Sequence, residues 1–393
     1  MAQYFKSIKN SFKLKHYINY IGVTIFLIIS ASMMYTGYLN RSTANLITQI
    51  AYSVILAVSL NLVVGFLGEL SLGHAGFMCV GAYLGCYIAN ILHTVIPSPL
   101  AVLIITMLIG GALAAVFGFI IGLPALRLKG DYLAIVTLAF GEIVRTIFKN
   151  LKTFGGALGL RTVKYGPELF IVSLAVVLIT LILIQNLVRS KHGRAITAIR
   201  DNEIAAKAMG INVTFYKLFV FVVSAFFAGV AGVIYGHYAT PVLYSFFSYN
   251  YSIEILVMVV LGGMGSITGS IIAATLITYI NFQLTTHLSG DLAALKFLIY
   301  ALVLITIVLF NNAPSLAPIK ERLNTKKFLE NLFKKVEKIF VKNEDVEKQR
   351  AKIKDDAAQW DKIPTKIEMD SILSVELTGE TSTKDPDKGG KRH

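Results

Sequence analysis

Long apolar runs alternate with short polar breaks from Tyr17 to Phe310. A spanning helix takes about 20 apolar residues to cross roughly 30 Å of hydrocarbon. On that measure crossings fall at about 18–37, 46–66, 72–93, 100–123, 131–149, 168–188, 216–238, 250–264, 268–288 and 291–312. The pattern predicts an all-α, polytopic transmembrane helical bundle of about eight to ten spans with broken helices. The expected organisation is a cytoplasmic N-terminal segment over 1–16, a transmembrane domain over 17–312 and a charged cytoplasmic tail over 313–393. In the tail, Leu323, Phe328, Leu332, Val336, Ile339 and Phe340 recur at roughly helical spacing. Past Pro364 the Ser, Thr, Glu, Lys and Gly content favours disorder.

Two apolar regions are interrupted by glycine and hydroxyl residues. Gly65 to Gly73 reads GFLGELSLG, and Leu261 to Gly269 reads LGGMGSITG. Non-helical backbone at membrane depth survives only inside protein or against water. A pair of such segments, one in each half, is the sequence pointer to a transport pathway. The alternative is two ordinary loops between spans. Small residues four apart (Gly81/Gly85, Gly118/Gly122, Gly232/Gly236, Gly265/Gly269) predict close helix crossings.

One polar stretch stands apart. Gly193 to Gly210 reads GRAITAIRDNEIAAKAMG and lies between the apolar runs 169–188 and 218–238. Asp201 is placed to cap a helix. Ile204, Ala205, Ala208 and Met209 share one face, Glu203 and Lys207 form an i,i+4 pair on another, and Gly210 supplies a stop. The result is a short two-part helix outside the bilayer with an apolar stripe. It suits a docking surface for a cytosolic partner that drives transport; a stripe resting on the membrane interface is the alternative.

Composition fits this picture. The 393 residues are 55% hydrophobic and 15% charged, with a mean hydropathy of +0.65. The net charge of +14 does not indicate nucleic acid, because its excess lies in the membrane part: 19 Lys/Arg against 8 Asp/Glu up to Asn312, and 18 against 15 beyond. Basic loops mark the cytoplasmic side. Lys6, Lys9, Lys13 and Lys15 place the N-terminus there, and Lys320, Arg322, Lys326 and Lys327 the C-terminal part. The loop 149–164 breaks the rule, since Lys149, Lys152, Arg161 and Lys164 then fall outside. Either 131–149 does not fully cross or that loop is charged for a reason. The first apolar stretch lacks a cleavage site and reads as a retained helix.

Enzyme chemistry finds no foothold. No P-loop, H-E-x-x-H or G-x-S-x-G occurs. Cys79 and Cys86 lack zinc or redox spacing, and His74 and His237 lack companion ligands. Glu142 and Arg145 share a helical face as a structural pair, with zwitterion binding as the alternative. Glu254 sits near a helix start, where capping is its default reading.

Four stretches together are similar to LivM-type permeases of branched-chain amino-acid ABC transporters. They are GELSLGHAGFMCVGAY (68–83), GLPALRLKGDYLAIVTLAFGEIVR (122–145), GRAITAIRDNEIAAKAMGINVTFYKL (193–218) and VVLGGMGSITGSIIAA (259–274), in the family's order across about 45–310. The resemblance implies a transport subunit without catalysis of its own. It pairs with a second homologous permease, two cytosolic ATPase subunits that bind ATP and Mg, and an extracytoplasmic binding protein, in the lipid of a bacterial inner membrane. By position, Arg194, Arg200, Asp201, Glu203, Ala206 and Gly210 match the ATPase-coupling loop. Ser71, Gly73 and His74 match the first break and Gly262, Gly263 and Gly265 the second, as substrate pathway. The family's Thr-Gly-Gly-x-Asn-Gly-like stretch corresponds to Thr153 through Leu160, adding Gly155, Gly156 and Gly159; Leu158 replaces a usual polar residue. Urea and short-chain amide importers share these motifs, and an ion-coupled carrier using Glu142 or Glu254 is the competitor from another class.

Overall fold

The computed structural model describes residues 18–35, 40–128, 130–166 and 168–287, with Leu302 and Ile305 as isolated positions. The expected N-terminal segment, the 291–312 crossing and the 313–393 tail lie outside the described residues. Eleven helices are described: α1 Ile18–Tyr35, α2 Arg41–Leu67, α3 His74–Leu92, α4 Pro99–Ala125, α5 Asp131–Asn150, α6 Glu168–Arg189, α7 Lys191–Asp201, α8 Glu203–Ala208, α9 Val213–Tyr238, α10 Tyr249–Gly262 and α11 Ile267–His287. Among the described residues there is no β-strand; Leu160 and Val242 form an isolated antiparallel bridge.

Six of these helices, α2, α3, α4, α6, α9 and α11, are long and apolar enough to cross a membrane. The protein is therefore a polytopic helical bundle. Three described crossings of the expected set fall outside these six: α1, of 18 residues, and two with other characters. At 14 residues, α10 reaches only about 21 Å at 1.5 Å per residue, short of the hydrocarbon thickness. The other, α5, carries Asp131, Glu142, Arg145 and Lys149 and buries one face through Leu133, Thr137, Phe140, Val144 and Phe148.

The centre is built from α2 and α9. In its most apolar stretch α2 is 94% buried, whereas α4 and α6 are each 39% buried. Outer helices turn large apolar side chains outward, among them Ile104, Leu108 and Phe119 of α4 and Ile179 and Leu183 of α6. In water such a surface would be a liability; against lipid tails it carries no penalty. Small residues let the inner helices touch. A Cβ on Gly81 of α3 would collide with the backbone of Gly229 of α9, and one on Gly232 with Met78. One face of α9 thus fits α3 because no side chain stands between them.

Candidate functional site

The first interruption is a true break. Helix α2 loosens into a π turn over Leu62–Leu67 and stops at Gly68, whose φ of 82° favours glycine. Gly68 to Gly73 is non-helical and passes from exposed Gly68 to buried Ser71 and Gly73. Its groups find partners there, as buried backbone must. The Leu72 N–H donates to Thr137 Oγ1 at 3.0 Å, and Ala75 N–H to Ser252 Oγ at 3.1 Å. Ser71 and His74 are buried. His74 Nε2 lies 2.9 Å from Ser59 Oγ, which itself donates to the Leu56 carbonyl. With the hydroxyl proton committed there, His74 carries its proton on Nε2. A Cβ on Gly73 would stand 2.6 Å from the Thr137 carbonyl oxygen, so only glycine fits.

The second interruption is held by a residue that the sequence reading passed over. Helix α10 ends at Gly262, Gly263 and Gly265 take φ of 89° and 79°, and α11 starts at Ile267. Asn61, fully buried on α2, saturates the turn. Its Oδ1 accepts from Gly265 N–H at 2.9 Å, and its Nδ2 donates to the Ser266 carbonyl at 3.1 Å and to Ser270 Oγ at 2.9 Å. The two breaks touch: a Cβ on Gly265 would lie 3.4 Å from the Gly65 oxygen.

The polar stretch forms α7 and α8 and reaches the first break. Ser190 caps α7 by accepting from the His192 and Gly193 N–H groups. Asn202, rather than Asp201, caps α8: its Oδ1 accepts from Ile204 and Ala205 N–H, both at 3.0 Å. The extended backbone of Asn202 (φ −158°, ψ 105°) turns its side chain over the new helix, whereas Asp201 remains the last residue of α7. Asp201 instead pairs with Arg200 at 3.0 Å. Glu203 and Lys207 form the expected pair, also at 3.0 Å, and Gly210 ends the segment at φ 81°. Arg194 is exposed, and Ala206 is buried together with Ile196 and Ile199.

Two cations connect this segment to the bundle. Arg200 Nη1 donates to the Gly65 carbonyl at 3.0 Å, and its stem lies over Gly68. Lys217, buried near the start of α9, bridges Glu69 of the first break and Glu203 of α8, the latter at 3.2 Å. A buried ammonium costs several kcal/mol unless paired, and here it has two carboxylates. Glu69 and Lys217 both fall within motifs of the sequence analysis, yet neither was singled out. The far side of α8 has no such anchor: Ile204 is 81% and Met209 82% exposed, with Ala205 and Ala208 also exposed between them.

Gly155, Gly156 and Gly159 lie elsewhere. All three have positive φ, in a loop of two short 3-10 turns pinned by the Leu160–Val242 bridge. Thr162 Oγ1 donates to the Gly236 carbonyl at 2.8 Å. Gly236 is 19 residues along α9 from Lys217, so this loop sits about 28 Å from the α7–α8 end at 1.5 Å per residue. Tyr165 secures the loop by donating to the Pro99 carbonyl at 3.1 Å. Burial first, then the neighbouring Cys86, pushes its phenol up to about 12. The two acids singled out in the apolar runs, Glu142 and Glu254, are engaged. Glu142 pairs with Arg145 at 2.6 Å and accepts from Tyr249 N–H at 3.0 Å, at the start of α10. Glu254 lies inside α10, beyond the cap position at Ser248, and accepts from Asn281 Nδ2 at 3.1 Å.

Comparison with known proteins agrees with this architecture. The family described as branched-chain amino acid transport system / permease component matches residues 42–308. The high-affinity branched-chain amino acid transport system permease protein LivM of Escherichia coli is 36% identical over 276 residues, 61% of this chain and 62% of that protein. The probable LivM permease of Methanocaldococcus jannaschii is 27% identical over 252 residues, covering 55% and 73%. The ribose import permease RbsC of Haemophilus influenzae is 27% identical over 308 residues, covering 73% and 90%. The chain thus spans a little under two thirds of the Escherichia coli relative. No solved structure matches. With a match over two thirds of its length, the chain belongs to the family of permease components of branched-chain amino acid transport systems.

Proposed function

We propose that this chain is the membrane-spanning subunit of an ATP-driven importer for branched-chain or related small amino acids. It works with a second permease, two cytosolic ATPase subunits that bind ATP and Mg, and an extracytoplasmic binding protein. The observation that carries the reading is the tie from α7–α8 to the first glycine break through Arg200 and Lys217, with Asn61 of α2 holding the second. A subunit that docks on the exposed Ile204–Met209 face would move Glu203 with α8 and Arg200 with the adjoining α7. Gly65, Glu69 and, through Asn61, the Gly262–Gly265 turn would follow. Broken helices at membrane depth are where such motion changes access, since their backbone is held by side chains rather than by a continuous helical ladder. The basic α7–α8 end faces the cytoplasm of a bacterial inner membrane.

An ion-coupled carrier needs a free intramembrane carboxylate. The candidates offered for that role are already engaged, Glu142 by Arg145 and Glu254 by Asn281. The similarity to a ribose import permease keeps a sugar cargo as the second reading. Reconstitution of the chain with its partner subunits in liposomes separates these. ATP-dependent accumulation of leucine, isoleucine or valine supports the proposal. ATP-dependent accumulation of ribose or urea alone replaces the cargo, and uptake driven by a proton or sodium gradient without the ATPase overturns the mechanism.

A further inference from the structure

At the end of the bundle away from α7 and α8, a cavity of about 330 Å³ opens between the starts of α2 and α6, the end of α9 and the 164–166 loop. Its size is at the lower end of small-ligand cavities. Arg41 and Lys164 stand on its wall, both exposed, and neither has an acidic partner among the described residues. Leu169 and Phe170 supply a buried apolar wall. His237, fully buried, completes the lining. Its Nδ1 lies 3.0 Å from the Val163 carbonyl, which can only accept, so Nδ1 carries the proton. Nε2 is then a lone-pair acceptor, and it has no protein partner. Buried polar atoms are nearly always satisfied, so an orphan beside a cavity asks for a donor from a ligand.

We infer that this cavity is an outer binding site for a zwitterionic small amino acid, with the carboxylate on Arg41 and Lys164, the ammonium donating to His237 Nε2, and the aliphatic side chain against Leu169 and Phe170. The inference rests on the proposed amino-acid import for its ligand class. It gives Lys164, one of the basic residues of the loop 149–164 that is anomalous by the charge rule, a reason for its charge. The site receives cargo at the outer mouth, well away from the glycine breaks.

Asn45 lines the cavity and is exposed, which makes N45C a reporter. The full chain carrying Asn45→Cys, assembled with its partners in phosphatidylcholine nanodiscs, is labelled with a water-soluble thiol reagent; Cys79 and Cys86 are buried. Leucine is expected to slow labelling about fivefold or more. Leucinamide, without the carboxylate, and 4-methylpentanoate, without the ammonium, are each expected to need about tenfold more ligand, the loss of one charge-assisted contact. Arg41→Gln with Lys164→Gln, two changes at exposed positions, should abolish protection by leucine and leave the thermal unfolding of the chain unchanged. Protection by inorganic phosphate or by phosphatidylglycerol in the disc, equal to that by leucine, makes this an anion or headgroup site and overturns the assignment. Leucine uptake without leucine protection overturns the site and leaves the transport reading intact. Protection without any leucine uptake does the reverse.

Discussion

Arg200 donates from Nη1 to the carbonyl oxygen of Gly65 at 3.0 Å, across 135 residues of sequence. Gly65 lies in the last, π-wound turn of α2, where carbonyls lack their helical partners. The guanidinium supplies one. Its other edge holds Asp201, so the end of α7 and the end of α2 are clamped by one side chain. A displacement of α7 is therefore felt at the first break without any intervening element.

Removing Lys217 should cost the most stability of any charge in the site. Lys217→Met leaves the partly buried Glu69 without its cation, an expected loss of about 3 kcal/mol. Glu69→Gln added to it should recover most of that. Thermal or urea unfolding in detergent reads both. Equal stability of the single variant and the unsubstituted protein would refute the buried pairing.

Asn61→Leu fills similar space and removes three hydrogen bonds at once. The Gly265 N–H is then orphaned, for an expected cost of about 2 kcal/mol. Cysteine accessibility at Ser266 should rise as the turn loosens. Unchanged unfolding and labelling would show that the second break holds its shape without this amide.

Charge placed on the outward face of α8 should block docking and spare the fold. Ile204→Asp and Met209→Asp substitute side chains more than four-fifths exposed, so unfolding should shift by less than about 0.5 kcal/mol. Co-purification of the ATPase should fall about tenfold. Undiminished recovery of the ATPase would move the docking surface elsewhere.

Glycine substitutions test the breaks themselves. Gly265→Ala meets both a φ of 79° and the nearby Gly65 carbonyl, and should lower uptake severalfold with little effect on ATPase recovery. Gly210→Ala also has positive φ but has nothing within 4 Å, so its effect should be limited to the backbone strain. Equal losses at the two positions would argue against a special role for the second break.

Local features of this fold were legible in the chain, and long-range pairings were not. Glycine at 68, 263 and 265 marked backbone that only glycine adopts easily, and Glu203 and Lys207 announced their pair by spacing alone. The cap of α8 was misplaced by one residue because Asp201 and Asn202 are both competent, and only the backbone angles decide between them. Glu254 was misread for the converse reason: α10 begins at Tyr249, several residues before it. The Lys217–Glu69 bridge joins positions 148 apart, and no periodicity records such a contact. Asn61 did leave a trace, as an amide inside an apolar run, where a polar residue is costly unless it serves a partner. The stripe through Ile204 and Met209 was visible as a stripe, but the sequence could not say that the bundle leaves it uncovered.

Force is proposed to reach the broken helices through Arg200. The direct measurement is the ratio of leucine taken up to ATP hydrolysed by the reconstituted transporter carrying Arg200→Gln. Hydrolysis should stay within about twofold of normal and uptake should fall about tenfold or more, as expected for one lost charge-assisted hydrogen bond at a coupling point. Uptake and hydrolysis both left at their normal rates would contradict it.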